Sequence, residues 1–221
     1  MDVTIVIPVL NEADSIKKIL QSLVGYDVIV VDGGSEDSTI AIVRQYDVTI
    51  LTWTKGRASQ MNAGAERAEG DQLLFLHADT ILPQDWAVVL ENMSKLNKVW
   101  GRFDVDFDDC SVVFKVIARM MNFRSRLTGV CTGDQGMFVK RSLFNEIGGF
   151  ANIPLMEDIE LSKRLRKFSR PYCSANKLIT SSRRWRQNGI LRTILLMWRL
   201  RFLYFFGVSP WSLAKQYYPH Q

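Results

Sequence analysis

Polar side chains recur at set points in the first half of this chain. Asn11 and Glu12 follow the apolar run at residues 3–9, Asp32 ends the run at 27–32, Lys55 and Arg57 follow 48–53, and Asp79 follows 73–77. If these runs are strands of one parallel sheet, the polar residues share the edge where such sheets bind ligands. Carboxylates and cations gathered there suit a phosphorylated ligand with a divalent metal, because Mg2+ or Mn2+ bridges carboxylate to phosphate. Asp32 also has a plainer reading, since in Asp32-Gly33-Gly34-Ser35 its side chain can cap a turn. Polar groups at four successive run ends favour a site over four unrelated turns. Two other phosphate-binding motifs are missing: no G-x-G-x-x-G opens the first helix and no G-x-x-x-x-G-K-S/T occurs, so dinucleotide and P-loop readings lose their main support.

The elements that must position these residues are legible from hydrophobic period. The four runs are mostly continuous rather than alternating, which suits strands buried on both faces. Ile16, Ile19, Leu20 and Leu23 recur at helical spacing, and residues 38–46, 57–68 and 84–96 can also hold helices, the last with Pro83 near its start. Such alternation predicts an α/β sheet with right-handed crossovers. Residues 99–107 alternate instead, with Val99, Gly101, Phe103, Val105 and Phe107 on one face, and predict an antiparallel strand whose other face is exposed. Residues 110–127 predict a helix with Lys115, Arg119, Asn122 and Arg126 in one polar stripe and a remainder too apolar for a freestanding helix.

Several motifs follow one another in order: Ile7-Pro8 with Asn11-Glu12, Val31-Asp32-Gly33-Gly34-Ser35 with Asp37 and Thr39, and Lys55-Gly56-Arg57-Ala58 with Asn62-Ala63-Gly64. Leu76-His77-Ala78-Asp79-Thr80, Gly133-Asp134-Gln135-Gly136 and Met156-Glu157-Asp158 come after them. Over about residues 3–185 this series resembles a family 2 glycosyltransferase. The His-Ala-Asp-Thr run and the segment 56–64 resemble a small bacterial subgroup labelled arsenosugar-biosynthesis-like or carotenoid-glycosyltransferase-like.

The resemblance implies a GT-A fold and the transfer, with inversion, of a sugar from a nucleotide diphosphate, UDP being the expected one, to a hydroxyl acceptor. By the same resemblance Pro8, Asn11, Glu12 and Asp32 hold the base and ribose, Lys55 and Arg57 lie near the nucleotide or diphosphate, and Asn62 belongs to the same nucleotide-sugar side. Asp79 matches the last position of the Asp-x-Asp motif that binds Mn2+ or Mg2+. His77 stands at the first position, a departure: imidazole can ligate Mn2+ but brings one negative charge fewer, and the residue can equally just fill space at a strand end. Asp158 matches the catalytic base, with Glu157 beside it; both, with Glu160, also suit the N-terminal end of a helix at 157–168. Gly133, Asp134 and Gln135 would line the acceptor side. Arg184 and Trp185, in Arg183-Arg184-Trp185, resemble the Arg-Trp element of processive members, but the preceding Gln of that element is missing, so processive synthesis is not expected.

Composition bounds the rest. The 221 residues are 47% hydrophobic, enough for one sizeable core and unlike a disordered chain. Lys and Arg number 28 against 23 Asp and Glu, a balance that points first to nucleic acid or an anionic membrane surface. The charge is unevenly placed: residues 161–221 hold 13 of the basic residues and no acid, leaving 15 basic against 23 acidic groups before them. Cys110, Cys131 and Cys173 lack disulfide or zinc spacing and fit a reducing cytoplasm. The N-terminus carries no leader-like segment, and the greasiest stretch, 190–214, is interrupted by Arg192, Arg199 and Arg201, against a simple membrane span.

Three readings fit the basic tail. Trp185, Trp198, Phe202, Tyr204, Phe205, Phe206 and Trp211 interleave with the cations, but no RNA-binding fingerprint accompanies them, and nucleic acid is the least favoured partner. An anionic membrane surface uses the same ingredients, placing the protein at the inner face of the membrane with a lipid-like acceptor. The third reading is a helix packed on the sheet or against another copy. Arg192 and Arg199 share one stripe of that helix, whereas Arg201 points nearly opposite. The expected organisation is a GT-A domain at 1–185, with a nucleotide-binding half at 1–100 and an acceptor half at 101–185, followed by a basic, aromatic-rich helical appendage at 186–221. Two competitors stand beside the transferase: a non-catalytic relative of the fold whose tail binds membrane or nucleic acid, and a nucleotidyltransferase. The latter lacks its Gly-rich, Arg-containing loop, since Pro8-Val9-Leu10-Asn11-Glu12 occupies that place.

Overall fold

A computed structural model describes residues 2–218. In chain order it forms β1 (Val3–Val9), α1 (Ala13–Ser22), β2 (Asp27–Asp32), α2 (Thr39–Val43), β3 (Thr49–Thr52), α3 (Arg57–Arg67), β4 (Gln72–Phe75) and α4 (Trp86–Lys95). The second half continues as β5 (Trp100–Phe107), α5 (Val112–Thr128), β6 (Met137–Lys140), α6 (Arg141–Glu146), α7 (Glu157–Leu165), β7 (Tyr172–Thr180), α8 (Arg183–Asn188), α9 (Ile190–Phe205) and α10 (Pro210–Tyr217). A single 3-10 turn, Gly133–Gln135, precedes β6. The first two strands coincide with their apolar runs, and the next two shift by one or two residues.

The strands form one mostly parallel sheet in the order β3-β2-β1-β4-β6-β5-β7. Only β6 runs against its neighbours, β4 and β5, while β5 and β7 are parallel. Continuous apolar strands explain the two-sided burial. Ile5, Ile7, Val28, Val30 and Leu74 join α1, α4 and α5 in one core, and Val6, Ile29, Val31, Leu73 and Phe75 join α3, α6 and α7 in the other. Helix α3 lies close enough on β1 that a Cβ on Gly64 would sit 2.4 Å from Val6 Cγ1. The sheet is therefore the middle of three layers, as in the GT-A fold.

One expectation fails instructively. Strand β5 does pair antiparallel with β6, but the face carrying Arg102 and Asp104 is covered rather than exposed, because α5 packs across it. Burying charge there requires partners. Asp104 takes Arg102 Nη1 on one oxygen and Arg126 Nη2, at 2.6 Å, on the other. Arg102 further donates to the carbonyls of Phe103 (3.0 Å) and Asn122 (3.2 Å). Asn122, expected in a solvated stripe, is buried and bonds both backbone groups of Val105 at 2.8 and 2.9 Å. Helix α5 shows solvent an apolar series, Val112, Val113, Val116, Met120, Phe123 and Leu127, beside Lys115, Arg119 and Arg126 of the expected polar stripe.

The C-terminal helices attach through a third cluster, in which Leu200 of α9 and Leu213 of α10 are fully buried against Leu155, Met156 and Ile159. Burying one such leucine contributes roughly 1.5–3 kcal/mol, so the pair anchors the tail to the start of α7. The isolated β5 charge cluster makes a direct test of the fold. Asp104→Asn is expected to lower unfolding stability in urea by about 3–5 kcal/mol, since it leaves Arg102 buried without its counter-charge; a loss under about 1 kcal/mol would contradict that account.

Candidate active site

The C-terminal ends of β1, β2, β3, β4 and β7 and the turn before β6 converge on one edge around a cavity of about 710 Å³. Pro8, Glu12, Lys55, Arg57, His77, Asp79, Gly133, Asp134, Glu157, Asp158, Arg184 and Trp185 all line it. Residues separated by more than a hundred positions thus share one chamber.

Four other candidates do not line it. Asn11 adopts a left-handed φ of 56°, donates its backbone N–H to Ser35 Oγ and accepts from Glu36 N at 2.8 Å, tying the loop after β1 to the loop after β2. Asp32 accepts the Ser35 N–H at 3.0 and 3.2 Å, the turn cap its sequence context allows. Asn62 clamps α3 to Phe150 with a donated and an accepted bond, each 2.8 Å. Gln135 is fully buried and completes a capping box with Thr132. All four shape loops that border the cavity.

Helix α7 delivers the acids. Met156, at φ 70°, turns the chain into the helix, so Glu157 and Asp158 stand at its positive end and face the cavity. Asp158 accepts the Gly133 N–H on Oδ2 at 2.9 Å and its neighbour Ile159 N–H on Oδ1 at 2.7 Å, which sets the carboxylate's orientation. Its two readings, helix-start acid and cavity acid, describe the same geometry. Glu157 is buried and lies 3.5 Å from Arg57 Nη1. Burial raises its pKa above the ordinary value, the Arg57 charge opposes this, and Asp158 beside it pushes the same way as burial. For Arg57, desolvation pulls downward, but the Glu157 charge prevails and its pKa stands above the ordinary value.

His77 has neighbours on both ring nitrogens. Nδ1 lies 3.5 Å from Asp134 Oδ1, and the Nε2 edge packs on Gly133, where a Cβ would come within 2.5 Å. Desolvation works against ionising Asp134, yet the hydrogen bond and charge of His77, with Arg57 and Arg201, hold its pKa below the usual carboxylate range. Among the described residues no group of three or more His, Cys, Asp and Glu side chains converges to hold a metal. Asp79 offers a single carboxylate to the cavity. Arg184 stacks over Tyr217 at 3.9 Å, and Trp185 packs edge-on against Phe107 at 5.8 Å.

Sequence reasoning overlooks Gln60, Arg183, Arg201, Tyr217 and Tyr218, which also line the cavity. Gln60 donates to the carbonyls of Val9 and Val31 at 2.9 and 2.8 Å, holding the ends of β1 and β2 together. Arg183 reaches Glu12 at 3.4 Å. Arg201 carried a signal: it is the arginine out of phase with Arg192 and Arg199, and it is the one of the three that turns inward to the cavity.

The Glu157 shift has a consequence for stability. Its folded pKa is raised, so its contribution is full below the unfolded value of 4.5 and is lost as pH rises through the folded value. Glu157→Gln is therefore expected to melt at or above the wild-type temperature near about pH 7.5, with that advantage shrinking toward pH 4.5. A variant less stable at neutral pH than in acid, relative to wild type, would reverse this sign.

The profile described as Glycosyl transferase family 2 matches residues 4–148. The curated protein Glycosyltransferase AglE of Haloferax volcanii is 35% identical over 98 residues, covering 38% of this chain and 32% of that protein. The pre-mycofactocin glycosyltransferase of Mycobacterium tuberculosis is 36% identical over 90 residues, 38% of this chain and 19% of that protein. The chain thus aligns with a third or less of the length of these relatives. Among solved structures, S. aureus TarS 1–349 superposes with a TM-score of 0.68 at 17% identity, over 82% of this chain and 61% of that fragment. The mannosyltransferase PcManGT from Pyrobaculum calidifontis, solved with GDP-Man and Mn2+, gives 0.62 at 20% identity over 80% of this chain and 56% of its own. At these identities the structures speak for the fold, a GT-A-type sheet, and the profile for descent. Matched over most of its length, this chain belongs to glycosyl transferase family 2.

Proposed function

We propose that this chain transfers a sugar from a nucleotide-diphosphate sugar to a hydroxyl acceptor, with Asp158 as the general base. The observation that carries the reading is a single cavity in which Asp158 and Asp79 face Lys55, Arg57, Arg183 and Arg184. The acceptor hydroxyl attacks the anomeric carbon, the bond from that carbon to the diphosphate oxygen breaks, and its electron pair leaves with the nucleoside diphosphate. Asp158 takes the hydroxyl proton, and the cations offset charge developing on the departing phosphate. Asp158 makes no ion pair among the described residues, whereas Glu157 is buried against Arg57. With Asp79 assigned to the metal, Asp158 is the one free carboxylate left for the displacement, which supports a single displacement and hence inversion; a second, nucleophilic carboxylate is what a double displacement would need.

UDP is the proposed nucleotide, supported by the UDP-GlcNAc complex of TarS, although the PcManGT complex holds GDP-Man. Pro8 and Glu12, with the loop that Asn11 and Asp32 brace, would receive base and ribose. For Mn2+ or Mg2+ the donor set fits an ion held by Asp79 together with substrate phosphates, since such ions commonly take one or two carboxylates plus phosphate oxygens. His77, the second expected ligand, is engaged by Asp134 through Nδ1, while no hydrogen bond reaches its Nε2 among the described residues; a nitrogen left so can serve as a ligand, and through Nδ1 His77 orients Asp134 on the acceptor side. When bound, the metal would supply charge to the leaving diphosphate. Asp158→Asn is expected to reduce transfer by about 10²–10⁴-fold while calorimetry finds UDP affinity unchanged; normal turnover would remove Asp158 from this role. Asp79→Ala is expected to abolish the gain in UDP affinity that Mn2+ confers on the wild type.

The same reading extends to a membrane surface. Val112, Val113, Val116, Met120, Phe123 and Leu127 of α5 and Leu191, Leu195, Trp198, Phe202 and Phe205 of α9, with Phe206, are each 48–77% exposed. Both helices carry Lys or Arg and no acid, so a bilayer with anionic headgroups complements them, whereas a second copy would set like charges together. No helix among the described residues is long and apolar enough to cross a membrane. Flotation with vesicles of phosphatidylglycerol and phosphatidylcholine is expected to recover the wild type and to lose most of Phe123→Asp/Phe202→Asp; equal recovery would sink the surface assignment.

A further inference from the structure

The arginines lining the cavity differ in how their charge is used. Arg57 meets Glu157, Arg183 meets Glu12 and lies 4.0 Å from Asp14, and Arg184 stacks on Tyr217. Arg201 has none of these: among the described residues no hydrogen bond or ion pair reaches its guanidinium, and its buried Nε is unpartnered. Behind it on α5, Arg124 likewise buries Nε and Nη2 without a partner. Two cations close enough to repel each other are thus held partly out of water with no ion pair on either guanidinium, and the charges of Asp158 and Asp134 act on them without bonding them, an arrangement that an arriving anion would relieve. Burial and the charge of Arg201 bring Arg124 down to about 10, with Asp158 the nearest opposing influence.

Arg124 comes from the side of the sheet away from the donor strands, and Arg201 lies in front of it in the shared cavity. Pro8, Glu12, Lys55 and Arg57 follow or flank β1, β2 and β3, whereas Arg124 comes from the helix packed on β5, at the other side of β6. Leu200, fully buried next to Ile159, sets the adjacent Arg201 within electrostatic reach of Asp134. The cavity wall includes apolar Met197 and Leu200 from the same helix as Arg201, α9, and Leu155 and Ile159 around the start of α7, and the outer face of α9 exposes Leu191, Leu195, Trp198, Phe202 and Phe205.

We infer that Arg201, with Arg124 reinforcing it, is the binding site for an oxyanion carried by the acceptor, so that the substrate class is a hydroxyl compound bearing phosphate or carboxylate on an apolar body. A guanidinium fork matches either oxyanion in a bidentate pair. The inference rests on the proposed transferase reading for the word acceptor, but not for the anion site itself.

Calorimetry on the full chain, saturated with UDP and Mn2+ so that the donor phosphates are already supplied, tests it with octyl phosphate, octanoate, octanol and inorganic phosphate. Octyl phosphate or octanoate is expected to bind the wild type at least about tenfold more tightly than Arg201→Gln, a difference of about 1.4 kcal/mol, and octanol to show no such dependence. Arg124→Gln should lose part of the affinity, and Arg201→Lys should lose less than Arg201→Gln. Octyl phosphate binding much more tightly than inorganic phosphate would support the apolar body; inorganic phosphate matching it would overturn that part of the inference. Equal octyl phosphate affinity in wild type and Arg201→Gln would overturn the inference, as would a parallel fall in UDP affinity, which would give the arginines to the donor. A melting curve for each variant checks folding. If UDP binds nowhere yet octyl phosphate titrates in an Arg201-dependent way, the transferase reading fails and the anion site stands.

Discussion

Because β6 runs against β4 and β5, its first residue, Met137, lies at the edge where the other strands end. That reversal brings the Gly133–Gln135 turn to the mouth of the cavity instead of the opposite rim. The turn then presents the Gly133 N–H to Asp158 and the Asp134 carboxylate to His77. With β6 parallel, His77 and Asp79 would face a strand end with no such turn, and α7 would have nothing there to orient its first carboxylate. The acceptor-side geometry is therefore a consequence of strand direction, which hydrogen-bonded pairing over Gln72↔Lys140 to Phe75↔Met137 holds in place.

The second organising force is the distribution of counter-charges. Glu157, Glu12 and Asp134 are each tied to a cation or an imidazole, and their paired neighbours Arg57 and Arg183 are thereby held in position rather than left to sample solvent. Asp158 and Asp79 stand outside these pairs among the described residues. A cavity arranged in this way keeps two carboxylates available for chemistry while the rest define its shape, and the desolvation seen at Glu157 belongs to the same design. At the far side Arg201 is, among the described residues, the cavity arginine with neither an ion pair nor a ring partner.

The tail gains its meaning from packing. Leu200 and Leu213 fasten α9 and α10 over the start of α7, so the helix presents one face to the cavity and the other to solvent. Its outward aromatic residues continue the apolar outer face of α5 in character, and neither helix contains an acid. A basic tail that looked like a partner-binding appendage is in part a wall of the site.

Much of this was written in local pattern. Apolar runs placed the first four strands within a residue or two, and the polar residues after them marked the edge at which the cavity opens, because strand period and strand-end chemistry are properties of a few adjacent residues. Motif order carried family membership for the same reason. Local pattern misled where a distant element intervened: alternation in β5 signalled an exposed face, but Asn122 and Arg126 from the end of α5 reach it and hydrogen-bond Arg102 and Asp104 there. Asp32 and Asn62 carried the right chemistry for ligands yet spend it on backbone groups of Ser35 and Phe150. The sequence by itself thus determined the α/β class, the strand ends and the family. Tertiary structure alone decided which polar side chains keep free valences, since that depends on partners up to 171 residues away, as between Arg183 and Glu12, which no local window contains.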